Sequence, residues 1–233
     1  MDNSNYKLIF FGCSFTAMET SLTGHMFNNF RNIISEKLTC SSLNISKDGK
    51  SNEQIIDDIY NSNKFNRDED TIFIIQFTFN NRLGMYFDLE DRFISMCKRE
   101  NPDNPMDKIK IDFYTDWLKY FYSRQTRIKE FKKQVDLLCA WLKLENIKFI
   151  CFGMDNDMDS EYFESSFYER NNFLNFENTH SLYGYASLNK LRISDDSKYS
   201  LFGEARDWHL NKEGHIYLAN KISENLNNKN WVI

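Results

Sequence analysis

Residues 6–16, YKLIFFGCSFT, join a short apolar run to a polar turn. The uninterrupted apolar stretch from Leu8 to Phe11 is typical of a strand that is buried on both faces of a parallel sheet. Gly12 then allows a tight exit, and Ser14 falls at the tip of the turn that follows. A serine in this place lies at the carboxyl edge of the sheet, with its hydroxyl and its backbone N–H facing the same space. The stretch therefore predicts an α/β fold with a candidate nucleophile at the sheet edge.

The rest of the chain alternates apolar strands with amphipathic helices. The predicted strands are 6–12, 40–45, 71–77 and 147–153, and the predicted helices are 26–38, 51–59, 124–145 and a final helix from residue 211 onward. Ser51 and Gln54 have the spacing of a capping box, and Asn211 has the position of an N-cap. Strands that alternate with helices indicate a parallel sheet.

Two long stretches interrupt the alternation, at about 80–122 and 154–206. Both are rich in aromatic residues and in Asn, Asp and Ser, and each follows the carboxyl end of a strand, where open parallel sheets bind ligands. We interpret them as insertions that cover a site within one domain of residues 1–233. Their aromatic side chains would stack on sugar faces, line a lipid pocket or pack on the sheet as core, and the sequence does not decide between these roles. They include Tyr86, Phe87, Trp117, Tyr120 and Tyr122.

Composition excludes several classes of function. The 233 residues carry 29 basic and 34 acidic side chains, a net charge of −5, with no basic block that would favour nucleic acid. The five cysteines form no C-x-x-C pair, which favours a reducing compartment. The first residues lack a basic region and a long apolar run, so we expect a cytoplasmic protein without membrane attachment. Neither a nucleotide-binding glycine motif nor metal-ligand spacing is present, so we expect no cofactor and no metal. The oligomeric state stays open, since no heptad argues for a dimer.

A candidate base lies just before the final helix. A serine hydroxyl attacks an acyl group at neutral pH only if an imidazole takes its proton, and the imidazole needs a carboxylate to fix its tautomer. His209 and Asp207 supply both types. His25 and His180 lie in polar surroundings without such an acid, and His215 lies on the helix, where a capping or packing role suits it. Any one of these histidines, taken alone, is more often structural than catalytic.

Taken together, the two ends of the chain resemble the SGNH, or GDSL-type, hydrolases. The first block of that family, a strand followed by G-[DC]-S-x-T, resembles Gly12–Thr16. The last block, D-x-x-H-x-N-x-x-G-H, is similar to the stretch from His209 through Asn211 to His215. One departure concerns the acid, because Asp207 stands two residues before the histidine rather than three. The resemblance thus assigns His209 more firmly than Asp207.

The two middle blocks are matched less closely. Gly49 in KDGKSNE takes the place of the second-block glycine and resembles the G-x-S-N form, although a turn glycine fits there equally well. The third block, G-x-N-D, has threonine in place of the glycine and asparagine in place of the acid. Asn80 is the expected oxyanion donor by position and Asn81 is the reserve, while a capping or turn-forming role is the alternative for either.

The resemblance implies a three-layer α/β/α sandwich with a flavodoxin-like parallel sheet. It implies that Ser14 attacks, that His209 transfers the proton, and that the Ser14 and Gly49 amides with the Asn80 side chain form the oxyanion hole. Cys13 is expected to pack inward rather than to act as nucleophile.

The implied activity is hydrolysis of a small acyl ester, with an O-acetyl group on a carbohydrate as the expected substrate. The alternatives on the same fold are an acyltransferase, a thioesterase, a lipase, or a degenerate domain that binds a ligand or partner without catalysis.

Overall fold

The computed structural model describes residues 6–17, 28–64, 70–80, 82–87, 92–96, 105–155, 163–177, 179–192 and 209–232. The strands are β1 (Lys7–Phe11), β2 (Ser41–Asn44), β3 (Thr71–Phe77), β4 (Leu83–Phe87), β5 (Arg92–Met96) and β6 (Lys148–Gly153). The helices are α1 (Ser14–Ala17), α2 (Phe30–Leu38), α3 (Asn52–Tyr60), α4 (Pro105–Tyr120), α5 (Arg124–Leu144), α6 (Ser165–Arg170), α7 (Leu182–Leu188) and α8 (Lys212–Asn228), and a 3₁₀ turn at Asn61–Lys64 follows α3.

Four parallel strands form the central sheet in the order β2-β1-β3-β6. Two isolated parallel bridges, Cys151 with Phe173 and Gly153 with Ser181, add a further segment of chain beside β6. The chain leaves β1 for β2 on one side and returns to β3 on the other, so the strand order reverses between β1 and β3. Doubly wound sheets bind their ligands outside the carboxyl ends of the strands at this point. Ser14 follows β1 and Asn80 follows β3, so both lie at the reversal.

The sheet is covered by helices on both faces. Alternate residues of β1 point to opposite sides: Leu8 and Phe10 pack with α2 and α8, whereas Ile9 and Phe11 pack with α3 and α5. All four are buried. Because β1, β3 and β6 are apolar on both faces, the sequence shows continuous apolar runs there rather than alternation. The predicted fold class, a three-layer α/β/α sandwich with a flavodoxin-like sheet, is confirmed.

The capping residues predicted from the sequence mark the starts of two helices. The Ser51–Gln54 capping box is present at α3, and the Asn211 side chain accepts a hydrogen bond from Gly214 N at the start of α8. The start predicted for α2, residue 26, lies outside the described residues. The described helix begins at Phe30, after the N-cap Asn29.

The two stretches that interrupt the alternation contain secondary structure that the sequence analysis did not predict. The first holds an antiparallel hairpin of β4 and β5 followed by α4, and the second holds α6 and α7. These elements are short or lack a clear apolar period, so hydrophobic patterning does not reveal them. That the two stretches are insertions within a single domain stays a prediction. Across the described residues, no helix combines the length and apolar character needed to cross a bilayer.

Candidate active site

Ser14 begins the one-turn helix α1 directly after β1. The turn is closed by hydrogen bonds from Thr16 N and Ala17 N to the Cys13 carbonyl, at 3.0 and 2.9 Å. The Ser14 side chain is 1% exposed, and its Oγ has no hydrogen-bond partner within the described part of the chain. A buried hydroxyl without a partner costs about 1–3 kcal/mol, so such a group in a native fold calls for an explanation.

Gln76, a fully buried residue of β3, holds the turn that carries Ser14. Its Oε1 accepts hydrogen bonds from Cys13 N at 3.1 Å and from Thr16 Oγ1 at 3.0 Å, and its Nε2 donates to Phe77 O at 3.0 Å. A Cβ atom on Gly12 would lie 2.7 Å from both Gln76 Oε1 and Thr16 Oγ1, so only glycine fits there. Sequence reasoning missed Gln76, although a lone polar side chain within TIFIIQF was an available signal.

Cys13 packs inward, as predicted. It is fully buried, and its Sγ lies 3.2 Å from Gln76 Nε2 and 3.4 Å from Gln76 Oε1. The thiol therefore contacts the side chain of Gln76 on β3.

The imidazole of His209 packs against this turn. Its ring centroid lies 4.5 Å from that of Phe15, the residue after Ser14, and the side chain is 6% exposed with Nε2 shielded from solvent. Its neighbour Leu210 bridges to Arg192, which fixes the backbone just before α8. Because Ser14 Oγ has no hydrogen-bond partner among the described residues, no hydrogen bond joins Ser14 and His209. Such bonds are often long without substrate and tighten in the reactive complex.

Three residues considered in the sequence analysis lie outside the described residues: His25, Asn81 and Asp207. The role of Asp207 as the acid that orients His209 therefore stays a prediction, as does the reserve role of Asn81. Among the residues that are described, no group of three His, Cys, Asp or Glu side chains is placed to hold a metal ion.

His215 has a structural role on α8. Its Nδ1 accepts a hydrogen bond from Phe30 N at 3.4 Å, and its ring stacks on that of Phe30 at the start of α2. Burial first, and then the nearby His209 and Arg31, together lower the pKa of His215 to about 4. The ring is therefore neutral near pH 7, and the Phe30 bond requires this neutral form.

We expect His215 to make the fold sensitive to acid. In the unfolded chain an imidazole has a pKa of about 6.5, so between that value and the folded pKa of about 4 the unfolded state binds more protons. This contribution leaves stability unchanged above about pH 6.5 and lowers it as the pH falls towards 4, by up to about 3 kcal/mol. Urea unfolding across this range, on wild type and His215→Gln, measures it. An equal loss of stability with acid in the two proteins would contradict the assignment.

Asn80 lies just after the end of β3 and is 1% exposed. Its backbone N–H donates to Asp155 Oδ2 at 2.7 Å, and its side-chain Oδ1 accepts from Asn52 Nδ2 at 3.3 Å. Its Nδ2 is buried and has no hydrogen-bond partner among the described residues. The ring of the preceding residue, Phe79, lies 6.3 Å from that of Phe15. An unpaired amide donor therefore lies on the strand exit that borders the Ser14 turn.

Gly49 lies in the turn after β2 and has φ = +77°, a conformation that favours glycine. No heavy atom lies within 4 Å of the place where its Cβ would be, so backbone conformation rather than space accounts for the glycine. The same turn is hydrogen-bonded to the segment that leads into Ser14, because Lys47 N donates to Gly12 O at 3.2 Å. The structure thus brings the loops that carry Ser14, Gly49 and Asn80 to one edge of the sheet.

Comparisons with known proteins show a likeness of fold. No protein-family model and no curated protein matches the sequence. Solved structures do match. LAE5, an α/β hydrolase enzyme from the metagenome of Lake Arreo in Spain, has a TM-score of 0.51 and 11% identity over 95% of each chain.

Two further solved structures have lower TM-scores. A catalytic mutant of Axe2, an acetylxylan esterase from Geobacillus stearothermophilus, has a TM-score of 0.49 and 14% identity over 96% of this chain and 95% of that one. A member of the lipolytic protein G-D-S-L family from Veillonella parvula has a TM-score of 0.42 and 14% identity over 94% and 97%. The comparison with LAE5 therefore shows a shared α/β fold.

Proposed function

We propose that this protein is a serine ester hydrolase that cleaves a small acyl ester, with an O-acetyl group on a carbohydrate as its substrate. One observation carries the proposal: a buried hydroxyl and a buried amide donor, Ser14 Oγ and Asn80 Nδ2, have no hydrogen-bond partner among the described residues and lie beside the turn against which His209 packs. Folding leaves few buried polar groups unsatisfied, because each costs free energy. A substrate that supplies an acyl carbon and a carbonyl oxygen would engage both groups.

The reaction would proceed in two halves. Ser14 Oγ attacks the acyl carbon while His209 Nε2 takes its proton, and the tetrahedral intermediate collapses as His209 returns that proton to the leaving alcohol. Water then attacks the acyl-enzyme with His209 again as base, which releases the acid and restores the serine. Asp207 would stabilise the imidazolium form of His209 in both halves.

The oxyanion would be held by three N–H groups: the backbone amides of Ser14 and Gly49 and the side chain of Asn80. Donors that are already fixed before the reaction stabilise the developing charge without reorganisation, and they are more effective where water is excluded. Asn80 is 1% exposed and Ser14 is equally buried, so this part of the site is shielded from solvent.

Half-buried aromatic rings support a sugar-bearing substrate. Phe79 lies between Phe15 of the nucleophile turn and Tyr183 of α7, with ring centroids 6.3 and 5.8 Å away. Aromatic faces pack well against the apolar faces of sugars, whereas the tyrosine hydroxyl retains a polar contact. The acetyl group and the carbohydrate themselves are inferred from the family that the sequence resembles.

A second candidate function is a binding module on the same fold without catalysis. It is favoured by the missing Ser14–His209 hydrogen bond and by the altered third block. A serine-directed fluorophosphonate probe separates the two, because covalent labelling requires an activated hydroxyl. Labelling of Ser14 supports the hydrolase, and an unlabelled intact protein beside a labelled active serine esterase supports the binding module. Product analysis with and without an acceptor alcohol then distinguishes hydrolysis from acyl transfer.

Asn80→Ala is expected to lower kcat by about 10²- to 10³-fold, or ~3 kcal/mol, with little change in KM, because an oxyanion donor acts mainly in the transition state. The measurement is steady-state hydrolysis of p-nitrophenyl acetate. The matched control is Asn171→Ala, since Asn171 is a buried asparagine whose side chain donates to Asp136 of α5 and takes no part in the proposed reaction. If Asn80→Ala lowers kcat no more than this control, Asn80 is not the donor.

A further inference from the structure

A second buried carboxamide lies behind Asn80. Asn52 is the first residue of α3 and is 3% exposed, but its side chain bonds to the exit of β3 rather than to its own helix. Its Oδ1 accepts a hydrogen bond from Thr78 N at 2.7 Å, and its Nδ2 donates to Thr78 O at 3.2 Å and to Asn80 Oδ1 at 3.3 Å.

The two bonds to Thr78 fix the backbone where β3 ends. They pair the backbone N–H and C=O of Thr78 as a neighbouring strand would, at a point beyond the end of β3. From the other side, Asp155 accepts the Asn80 backbone N–H at 2.7 Å. The strand exit is thus held by side chains from two different elements, and Asn80 has little freedom to move.

The third bond decides the orientation of the Asn80 amide. A carboxamide has an acceptor end and a donor end, and only the donor end can stabilise an oxyanion. Because Asn52 Nδ2 donates to Asn80 Oδ1, the acceptor end is occupied and Nδ2 is the end left without a partner. The flipped amide would place one NH₂ group against another, which is unfavourable.

We infer that Asn52 is a positioning residue of the oxyanion hole, which holds the Asn80 amide with its N–H end towards the tetrahedral intermediate. This inference rests on the proposed ester hydrolysis. Asn52 does not touch the substrate and acts only through Asn80.

The chemistry of the pair explains why an asparagine stands at position 52. An aspartate would keep the acceptor for Thr78 N, but it has no donor for Asn80 Oδ1 and would instead attract Asn80 Nδ2 to itself. Asn52→Asp therefore changes few atoms and withdraws the oxyanion donor. Asn52→Ala removes all three hydrogen bonds of the side chain without adding a charge, so it serves as the second variant.

The test is a double-mutant cycle in p-nitrophenyl acetate hydrolysis, with Asn52→Asp and Asn52→Ala each made in wild type and in Asn80→Ala. In wild type, each substitution is expected to lower kcat by about 10- to 100-fold with KM within about twofold. In the Asn80→Ala background, each should lower kcat by no more than about threefold, since the residue it acts through is gone. Thermal melting of the same variants follows their stability in parallel.

The outcomes separate this inference from the proposed function. Equal losses of kcat in the two backgrounds, or no loss in wild type, would overturn the role of Asn52 while leaving the hydrolase intact. Wild-type protein without turnover on any ester would overturn the proposed function and this role together. Coupled losses, present with Asn80 and absent without it, establish Asn52 as the residue that orients the donor.

Discussion

Ser14→Ala is expected to abolish ester hydrolysis, with kcat lowered by about 10⁴-fold or more, because alanine has no hydroxyl to form the proposed acyl-enzyme. The hydroxyl is buried and unpaired among the described residues, so its removal leaves no partner unsatisfied. The fold should therefore keep its stability while activity is lost. Hydrolysis of p-nitrophenyl acetate and butyrate, with thermal melting of the same samples, measures both effects.

Cys13→Ala is the matched control for this prediction. The thiol is next in sequence and equally buried, but it contacts Gln76 rather than the space beside His209. We expect this variant to keep turnover within about tenfold of wild type and to lose some stability through a small cavity. Loss of activity with Cys13→Ala alone would move the nucleophile to the thiol and contradict the assignment of Ser14.

His209→Gln is expected to lower kcat by about 10⁴-fold or more, since glutamine fills part of the space of the imidazole but cannot take a proton from the serine. Steady-state hydrolysis of p-nitrophenyl acetate by the wild type and the variant, with thermal melting of the same samples, measures the effect.

His180→Gln is the control for the histidine substitution. Its ring stacks on Tyr168, away from the nucleophile turn, and it has no part in the proposed reaction. A kcat within about twofold of wild type is expected for this variant. If His209→Gln lowers kcat no more than this control does, the proton acceptor lies elsewhere.

The sequence by itself determined the order and character of the elements around the site. The apolar runs from Leu8 to Phe11 and from Thr71 to Phe77 predicted strands buried on both faces, and the caps at Ser51 and Asn211 predicted two helix starts. These signals are local, because an apolar run and a helix cap are each formed by residues only a few positions apart. The order of strands and helices then indicated a parallel sheet with Ser14 at its carboxyl edge.

Only the tertiary structure decided how the site is supported. Gln76 bonds to Cys13 across 63 residues, and Asn52 bonds to Asn80 across 28. Neither pair of partners can be identified from the local sequence, because each bond joins polar groups of different elements that meet only after the sheet has assembled. Their strength also depends on burial, since water would otherwise satisfy the same groups. The sequence could therefore indicate Asn80 as an oxyanion donor, whereas the end of its amide that stays unpaired is decided by a contact that exists only in the folded chain.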